Sequence, residues 1–499
     1  MKSFVSALVG VSLIVLLSFS CVQITYAQSS ASATIRGSVL DPQSRAVPNA
    51  TVTVRNVDTR QERSTTTTSD GLYVIPNLDP GVYDVRVEVS GFSKGEAKGV
   101  RVQVGAIRDV NFSLRLAGVS SEVKVTGQAP LVETTKTDTS VVIDDKQMSH
   151  LPVLNVAGLN TGGSPLNDYE GLAITAPGVH FDTSLNSNDL IGPGGYNNRG
   201  NVVNVDGGNI NDQVVVNRDS ISASLDEVKE FQIITNNYNA EYGEAGNLIV
   251  NVITKSGTNT IHGSGYAAFR GRNFGASNYF YNEFNPNAAF RRAPFQKQMW
   301  GLNSGGPLVK DKTFWFLSFE KAYQSVPLTL INQPPNNQAV TVSQPTKEIL
   351  WSAKVDHQLF RNHMLSIRFN VDRQFLDNDL VQVPSFAQPS SLTLSSYHDQ
   401  GLNIGLVSTV TPHVANEGRF FWHRFINILP TKSTDPGVLR SNSYTGAAFC
   451  CPQGGLQNRY QILTTLPGFM ARTRSKRDSI SATFLTTLSS SSSISENGI

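Results

Sequence analysis

The sequence predicts a mainly β protein in three consecutive parts, and three observations support that fold class. Charged residues make up 16% of the chain and hydrophobic residues 39%, against roughly 25% and 45–50% in average soluble proteins. The third observation is a repeated alternation of apolar and polar residues, which is typical of strands with one buried face. Such a chain is rich in loops or in half-apolar strands, unlike an ordinary cytosolic α/β enzyme.

The charge balance excludes one class of partner. The 41 Lys and Arg residues nearly match the 39 Asp and Glu residues, so the formal net charge is +2. Nucleic-acid-binding domains usually carry a basic stripe on a strongly basic domain. We therefore expect no nucleic-acid partner.

Residues 1–27 have the layout of a secretory signal peptide. Lys2 gives a positive start, residues 5–19 are almost wholly apolar, and small residues before Gln28 suit a cleavage site. The apolar stretch is too short to span a bilayer as a helix. A retained N-terminal anchor is the alternative.

The cysteines fit a location outside the cytoplasm. Cys21 lies within the predicted signal peptide, and Cys450 and Cys451 are adjacent. No C-x-x-C pair occurs, so neither a zinc ribbon nor a thioredoxin-type site is expected. A vicinal disulfide and two separate thiols are both compatible with the adjacent pair.

Residues 33–116 predict a small β-sandwich. Residues 34–39 and 50–55 alternate apolar and polar side chains, and turn residues at 79–81 precede another alternating run at 82–89. Short strands separated by turn residues at this spacing are typical of sandwiches.

Three blocks in this first part carry a family resemblance. The motifs G-x-V-x-D at 37–41, D-G-x-Y at 70–73 and the P-G-x-Y block at 80–92 resemble the carboxypeptidase regulatory-like domain. The resemblance implies a transthyretin-like or carbohydrate-binding-like sandwich without a protease centre. No His lies between residues 28 and 149, so a zinc site there is unsupported. A structural spacer and a glycan-binding or docking module are the two roles left open.

Residues 117–257 carry a second resemblance. An R-G…V-D-G block at 199–207 is followed by a strand-like run at 225–233, Y-G at 242–243 and a strand-like run at 247–257. In that order the blocks resemble the plug of TonB-dependent outer-membrane receptors, which implies an α+β plug. The resemblance assigns the plug motif to Arg199, Gly200, Asp206, Gly207, Tyr242 and Gly243.

The expected role of these motif residues is structural. Gly207 and Gly208 would allow positive φ angles in a turn. Arg199 would pair with a carboxylate in the lumen of a surrounding barrel.

Residues 258–499 predict a transmembrane β-barrel from the spacing of their strands. Connections of about 20 residues or more alternate with turns of six residues or fewer. Transmembrane barrels show this pattern, with short periplasmic turns and long extracellular loops. The eight predicted strands lie near 260–272, 295–306, 313–324, 348–358, 363–375, 396–410, 414–427 and 475–488.

The side chains in these strands alternate as a barrel requires. In residues 365–372, four apolar side chains alternate with Ser366, Arg368, Asn370 and Asp372. A charged side chain facing lipid near the membrane midplane costs about 2–4 kcal/mol, so the polar set should face the lumen. Residues 419–426 alternate poorly. Strands of a soluble sandwich are the alternative, but they do not account for the alternation of long and short connections.

No enzyme is expected. The eight His residues are scattered without H-E-x-x-H or metal-ligand spacing, and neither a G-x-S-x-G elbow nor a Walker loop occurs. We therefore assign no catalytic residue, no metal site and no cofactor.

One segment ahead of the plug resembles a TonB box. It consists of Glu122, Val123, Lys124, Val125 and Thr126. In the family this extended stretch pairs as an added strand with periplasmic TonB, and main-chain hydrogen bonds supply much of the affinity. The alternative, equally open, is that Val123 and Val125 end the sandwich or begin the plug.

Ligand contacts are expected on loops at the outer end of the plug and on the long loops of the barrel. The candidates are Tyr196 and Asn197 in the plug, with Tyr279, Phe280 and Tyr281 in the first long loop. Aromatic side chains suit a sugar or a hydrophobic chelate equally. For the loop aromatics, a girdle at the membrane interface is the alternative.

These resemblances imply a TonB-dependent outer-membrane receptor similar to the Oar-like branch of that family. The implied function is TonB-energised uptake of a siderophore, an oligosaccharide or a peptide into the periplasm. A non-transporting adhesin or carbohydrate-binding surface protein is the alternative. The implied location is the outer membrane of a Gram-negative cell, with the barrel in lipid, the sandwich periplasmic and the long loops extracellular.

The strand count leads to an expectation about length. A plugged lumen goes with about 22 strands, whereas about eight are predicted within residues 258–499. We therefore expect the chain to be truncated within its barrel.

Overall fold

The computed structural model describes the chain in separate stretches. These are residues 32–116, 123–126, 138–150, 170–182, 189–193, 195, 200–211, 223–238, 242, 245–274, 295–333, 338–360, 362–380, 386–411, 414–440, 443–448, 451–465, 468–469, 479–480 and 483–493. The predicted signal peptide and Cys450 lie outside them. Among the described residues, no helix is both long and apolar enough to cross a membrane.

The N-terminal domain is a β-sandwich of two sheets. Its strands are β1 (Ala33–Leu40), β2 (Thr51–Asn56), β3 (Glu62–Thr66), β4 (Leu72–Leu78), β5 (Gly81–Glu88), β6 (Gly95–Val102), β7 (Ile107–Asp109), β8 (Phe112–Ser113) and β9 (Val123–Thr126). One sheet has the order β4–β1–β7, with β8 also pairing β1. The other has the order β3–β2–β5–β6–β9. The mainly β fold class is confirmed, and β9 joins the sandwich from beyond its predicted end.

The sandwich forms because its strands send every second side chain into one shared core. Val52 and Val54 of β2 are buried, and they lie directly opposite Val87 and Val85 of β5. Such cross-strand pairs of β-branched side chains stabilise an antiparallel ladder. The alternation seen in the sequence therefore gives the face of each strand correctly.

The next domain along the chain, here called the central domain, covers the described residues from 138 to 257. Its strands are β10 (Thr139–Asp144), β11 (His180–Asp182), β12 (Asp189–Ile191), β13 (Val202–Val205), β14 (Gly208–Asn209), β15 (Val228–Asn236) and β16 (Ile249–Thr254), and its helices are α1 (Asp145–His150) and α2 (Glu170–Ala173). Five strands form one sheet in the order β10–β15–β16–β13–β14, in which β13 and β16 are parallel. All six residues of β16 are buried, because both faces of the sheet are covered.

The third part is a large sheet, here called the barrel sheet. The strands of this part are β17 (His262–Gly271), β18 (Gln296–Val309), β19 (Thr313–Gln333), β20 (Gln338–Phe360), β21 (His363–Asp379), β22 (Thr393–Thr411), β23 (Val414–Leu429), β24 (Val438–Leu439), β25 (Tyr444–Thr445), β26 (Gln453–Thr465), β27 (Gly468–Phe469), β28 (Ser479–Ile480) and β29 (Thr483–Ser493). Of these, β24 and β25 form a separate hairpin outside the barrel sheet. The long strands follow the order β17–β18–β19–β20–β21–β22–β23–β26–β29, with the short β27 paired to β23 and β28 paired to β27. Every neighbouring pair of long strands is antiparallel.

The inner face of the barrel sheet, which packs on the central domain, carries the polar side chains. Arg368 and Asn370 of β21 are almost fully buried there. Trp351 and Ile367 lie at outward positions and are each 38% exposed. The predicted division of the strands into an apolar outer face and a polar inner face is therefore confirmed. The short turns are confirmed as well, since three residues join β18 to β19 and two join β20 to β21.

Two predicted loops are wrong. Residues 428–474 contain β26, and residues 325–347 continue β19 and β20 as a paired ladder. The first was missed because β26 has two glycines directly after its first residue and carries the polar Asn458 at an outward position. The second was missed because Pro327 and Pro345 argue against strand interiors. The last predicted strand, 475–488, is observed later along the chain as β29.

The poor alternation of residues 419–426 has a structural cause. Phe421 and Phe425 of β23 face inward and are buried. Phe421 joins the hydrophobic core of the central domain, so an aromatic side chain stands where the pattern predicts a polar one.

Candidate functional site

The candidate site lies where one hairpin of the central domain contacts the inner face of the barrel sheet. β13 and β14 are joined by two residues, Asp206 with φ +46° and Gly207 with φ +79°. A two-residue turn with both φ angles positive is the usual connection of a tight hairpin, and Asp-Gly is a favoured pair for it. The predicted positive φ of Gly207 is confirmed.

The same prediction for Gly208 is wrong, because its φ is not in the left-handed region. Glycine is required there for space. A Cβ on Gly208 would lie 2.4 Å from the ring of Phe421, and a Cβ on Gly207 would lie 2.4 Å from the guanidinium of Arg419.

The barrel sheet presents a row of inward polar side chains to this hairpin. Lys354 lies directly opposite Arg368 across β20 and β21, and Arg368 lies directly opposite Asn403 across β21 and β22. All three side chains are buried or nearly so. Like charges directly opposite each other on one face destabilise a sheet. The row therefore needs an anion beside Lys354 and Arg368.

The carboxylate of Asp206 supplies that anion. It lies 3.6 Å from Lys354 Nζ and 3.8 Å from Arg368 Nε. It also accepts hydrogen bonds from the backbone N and the Oγ1 of Thr254, at 3.0 and 2.6 Å. Burial alone would raise the pKa of Asp206, but the two cations and Thr254 outweigh it and lower the pKa to about 2.

The backbone carbonyl of Asp206 is bound as well. It accepts a hydrogen bond from Asn403 Nδ2 at 3.0 Å and another from the guanidinium of Arg419. Arg419 is itself paired with the fully buried Glu417. Asp206 therefore contacts side chains from four consecutive strands, β20 to β23.

Two further links join the central domain to the barrel sheet. Arg368 Nη2 lies 2.7 Å from Glu227 Oε1. Arg459 Nη1 donates to Asn209 Oδ1 at 3.1 Å and to the carbonyl of Asn211 at 2.9 Å. The contact is mainly ionic and polar, so its chemistry suits holding and releasing a domain. In the described residues no cluster of His, Cys, Asp and Glu is arranged to hold a metal ion.

Sequence reasoning missed the barrel half of this site. Lys354 and Arg368 lie on strands whose inward positions could be predicted, whereas Arg419 lies in the stretch that alternates poorly. The signal was available as cations at inward positions of adjacent strands, which must meet an anion in the lumen.

The other plug-motif residues occupy structural positions. The carbonyl of Gly200 accepts hydrogen bonds from the backbone of Gly246 and Asn247, at 2.9 and 3.1 Å. The hydroxyl of Tyr242 accepts one from Asn251 Nδ2 at 2.8 Å. Arg199 and Gly243 lie outside the described residues.

The segment that resembles a TonB box is described from residue 123 onward. Residues 123–126 form β9, which pairs with β6 of the sandwich. Glu122 lies outside the described residues. The five candidate ligand contacts also lie outside them: Tyr196, Asn197, Tyr279, Phe280 and Tyr281.

The sandwich is attached to the central domain by polar contacts. Arg101 of β6 lies 2.9 Å from Asp144 at the end of β10. The backbone N of Val104 donates to the Glu230 carboxylate, and burial raises the pKa of that carboxyl. A cavity of about 590 Å³ lies where the sandwich, the central domain and the barrel sheet meet.

Comparison with known protein families identifies the two outer parts of the chain. Residues 34–115 match the carboxypeptidase regulatory-like domain. Residues 253–341 match an outer membrane beta barrel domain, which gives the chain an outer-membrane location.

One curated relative and several solved structures resemble the chain more widely. The TonB-dependent transporter Oar of Myxococcus xanthus is 28% identical over 300 residues, which cover 60% of this chain and 27% of that protein. The chain therefore spans about a quarter of the length of this relative. The outer membrane transporter YddB of Escherichia coli has a TM-score of 0.50 at 11% identity, covering 67% of this chain and 46% of that one. The siderophore receptor PirA of Acinetobacter baumannii has a TM-score of 0.49 at 14% identity, covering 71% and 48%.

The sequence relative and the two matched domains agree with the predicted family. The YddB likeness, at so low an identity, supports the fold. The chain therefore carries a carboxypeptidase regulatory-like domain ahead of an outer-membrane β-barrel domain, and it is similar to a TonB-dependent transporter.

Proposed function

We propose that this protein takes up an extracellular ligand across the outer membrane, with the central domain as the plug of the barrel and TonB as the source of energy. The observation that carries the proposal is the binding of Asp206 to four consecutive barrel strands. A domain held against the inner face of a barrel by buried ion pairs blocks the lumen. Its release costs free energy, which TonB would supply.

The ionic character of the contact suits a plug that must move. Ion pairs are strong where water is excluded and weak where it enters. Once a pull admits water around Lys354 and Arg368, their attraction for Asp206 falls. The plug would therefore be firm at rest and yield abruptly under force.

We infer that the sandwich lies at the periplasmic end of the barrel. The carbonyl of Asp58 accepts a hydrogen bond from the backbone N of Asn259 at 3.1 Å. Asn259 Nδ2 donates to Asp311, in the short turn between β18 and β19, at 2.7 Å. Short turns are periplasmic in outer-membrane barrels, so residues 122–126 would also be within reach of TonB.

The ligand class is proposed only broadly, as a siderophore, an oligosaccharide or a peptide. Tyr196, Asn197, Tyr279, Phe280 and Tyr281 remain the proposed ligand contacts. Their aromatic and amide side chains suit stacking and hydrogen bonding to any of the three classes.

The experiment is uptake in cells that express the protein. Iron-55-loaded siderophores, labelled oligosaccharides and labelled peptides serve as probes, with and without an uncoupler. We expect accumulation of one probe that the uncoupler abolishes. Val125→Pro removes a main-chain donor and should also abolish accumulation, whereas Val125→Ala should retain most of it.

The competing function predicts a different result. A non-transporting adhesin or glycan-binding surface protein would bind a probe without accumulating it, and the uncoupler would change nothing. That outcome, seen with a probe that the cells bind, would refute the proposal.

A further inference from the structure

The sandwich presents the segment that resembles a TonB box as a strand. β9 runs parallel to β6, and their residues pair from Gly95 with Val123 through to Lys98 with Thr126. Within the described part of the chain, β9 pairs with β6 alone and ends the five-stranded sheet. No described strand pairs with the other edge of β9, and that edge is the one on which a further strand could add.

We propose that the sandwich and β9 form one docking surface, on which an extended segment of TonB adds to the outer edge of β9 as a sixth strand. β9 stays paired with β6 throughout. This inference rests on the proposed function, because it takes β9 as the energy-coupling segment.

The argument for addition over displacement is energetic. Strand addition requires one free edge of the receiving strand, and β9 offers it without breaking any pairing. Ordering an unstructured segment costs conformational entropy for each residue fixed, and that cost weakens binding. Here β6 has already ordered the segment, so TonB meets a preformed edge.

The position of β6 gives the docking surface a mechanical consequence. Its first four residues pair with β9, and Arg101 near its other end bonds Asp144 of the central domain. A pull applied at β9 therefore reaches the central domain through the sandwich. The sandwich is then a working part of the coupling and not a spacer.

The test locks β9 onto β6 with a disulfide. Lys98→Cys and Thr126→Cys are made together, because these residues are directly in register and Lys98 is exposed. The control is Lys98→Cys with Lys124→Cys, two residues out of register, where the Cα atoms would be about 8 Å apart and could not be bridged. Both pairs are made in a background with Cys450→Ser and Cys451→Ser.

The measurement is binding of the purified periplasmic domain of the host TonB to the full chain, oxidised and then reduced. We expect the in-register pair to cross-link and the control pair not to. We expect the locked protein to bind TonB with a Kd within about threefold of the reduced protein, since the preformed edge is preserved.

Each other outcome overturns the inference. Binding that weakens about tenfold or more on cross-linking, and recovers with reductant, means that β9 must leave β6 to meet TonB. Cross-linking no better than in the control means that β9 is not held on β6. If the reduced protein does not bind TonB at all, the proposed function fails as well, and that distinguishes the two failures.

Discussion

Replacing Asp206 with Asn tests the contact between the central domain and the barrel sheet. The substitution keeps the shape of the side chain, and the amide oxygen can still accept the hydrogen bond from Thr254 N. It removes the charge between Lys354 and Arg368. We expect the β13–β14 hairpin to open more often from the barrel sheet.

The size of the effect can be worked from the pKa. The pKa of Asp206 lies at about 2, against 3.8 for a free carboxyl, and each pKa unit corresponds to about 1.4 kcal/mol. The site therefore favours the charged carboxylate by about 2–3 kcal/mol. Removing one partner of a buried ion pair costs about 3–5 kcal/mol. A loss of about 2–3 kcal/mol raises the opening equilibrium roughly 30- to 150-fold.

Hydrogen exchange measured by mass spectrometry reads this opening directly. Peptides that cover 202–209 and 249–254 should exchange faster in Asp206→Asn by that factor. The control is Asp109→Asn, which removes an exposed ion pair with Arg36 and should change exchange little, since such pairs contribute about 0–1 kcal/mol. If the two variants exchange alike at 202–209, the carboxylate does not hold the hairpin.

Three further predictions concern the same contact. Gly207→Ala should destabilise the closed hairpin by about 1–2 kcal/mol, because alanine at a left-handed φ costs that much, and hydrogen exchange at 202–209 should rise accordingly. In the control Gly246→Ala, the new Cβ would meet nothing nearer than 3.8 Å, so hydrogen exchange should match that of the parent protein. Phe421→Ala should lower the free energy of unfolding by about 3–5 kcal/mol, measured by urea denaturation in detergent, and Phe421→Leu by clearly less; equal losses would exclude the packing explanation. Because the folded pKa of Asp206 is lowered to about 2, its contribution is complete above its unfolded pKa of about 4 and is lost as the pH falls toward 2. Thermal denaturation followed by circular dichroism should show that loss as a fall in melting temperature toward low pH, and Asp206→Asn should show a smaller fall. If the variant and the parent protein have the same pH dependence, Asp206 is not the group responsible.

The faces of the strands could be predicted because alternation is a local property. A period of two fixes which side chains share a face without knowledge of the neighbouring strand. Residues 365–372 show this directly. β26 was not predicted as a strand because Asn458 interrupts its outward apolar side chains. The local pattern was therefore too weak to distinguish this strand from a loop.

Only the central-domain half of the candidate site could be predicted from the sequence. The Asp206–Gly207 turn has a sequence signal, since few residue pairs accept two positive φ angles. Its barrel partners come from strands more than a hundred residues away, and their meeting depends on strand register. The attachment of the sandwich to the central domain could not be predicted for a further reason. One of its contacts is made by the backbone N of Val104, and a backbone contact does not depend on the residue type that the sequence shows.

The meeting of four strands on Asp206 has a consequence for assembly in the membrane. A slip of one residue in any of β20 to β23 turns its inward side chains outward, and that strand then loses its bond to the hairpin. Misaligned strands are thus penalised by a domain that is not part of the sheet. The central domain acts as a template that checks strand alignment, so a molecule whose central domain is held firmly is also one whose barrel sheet has been built in register.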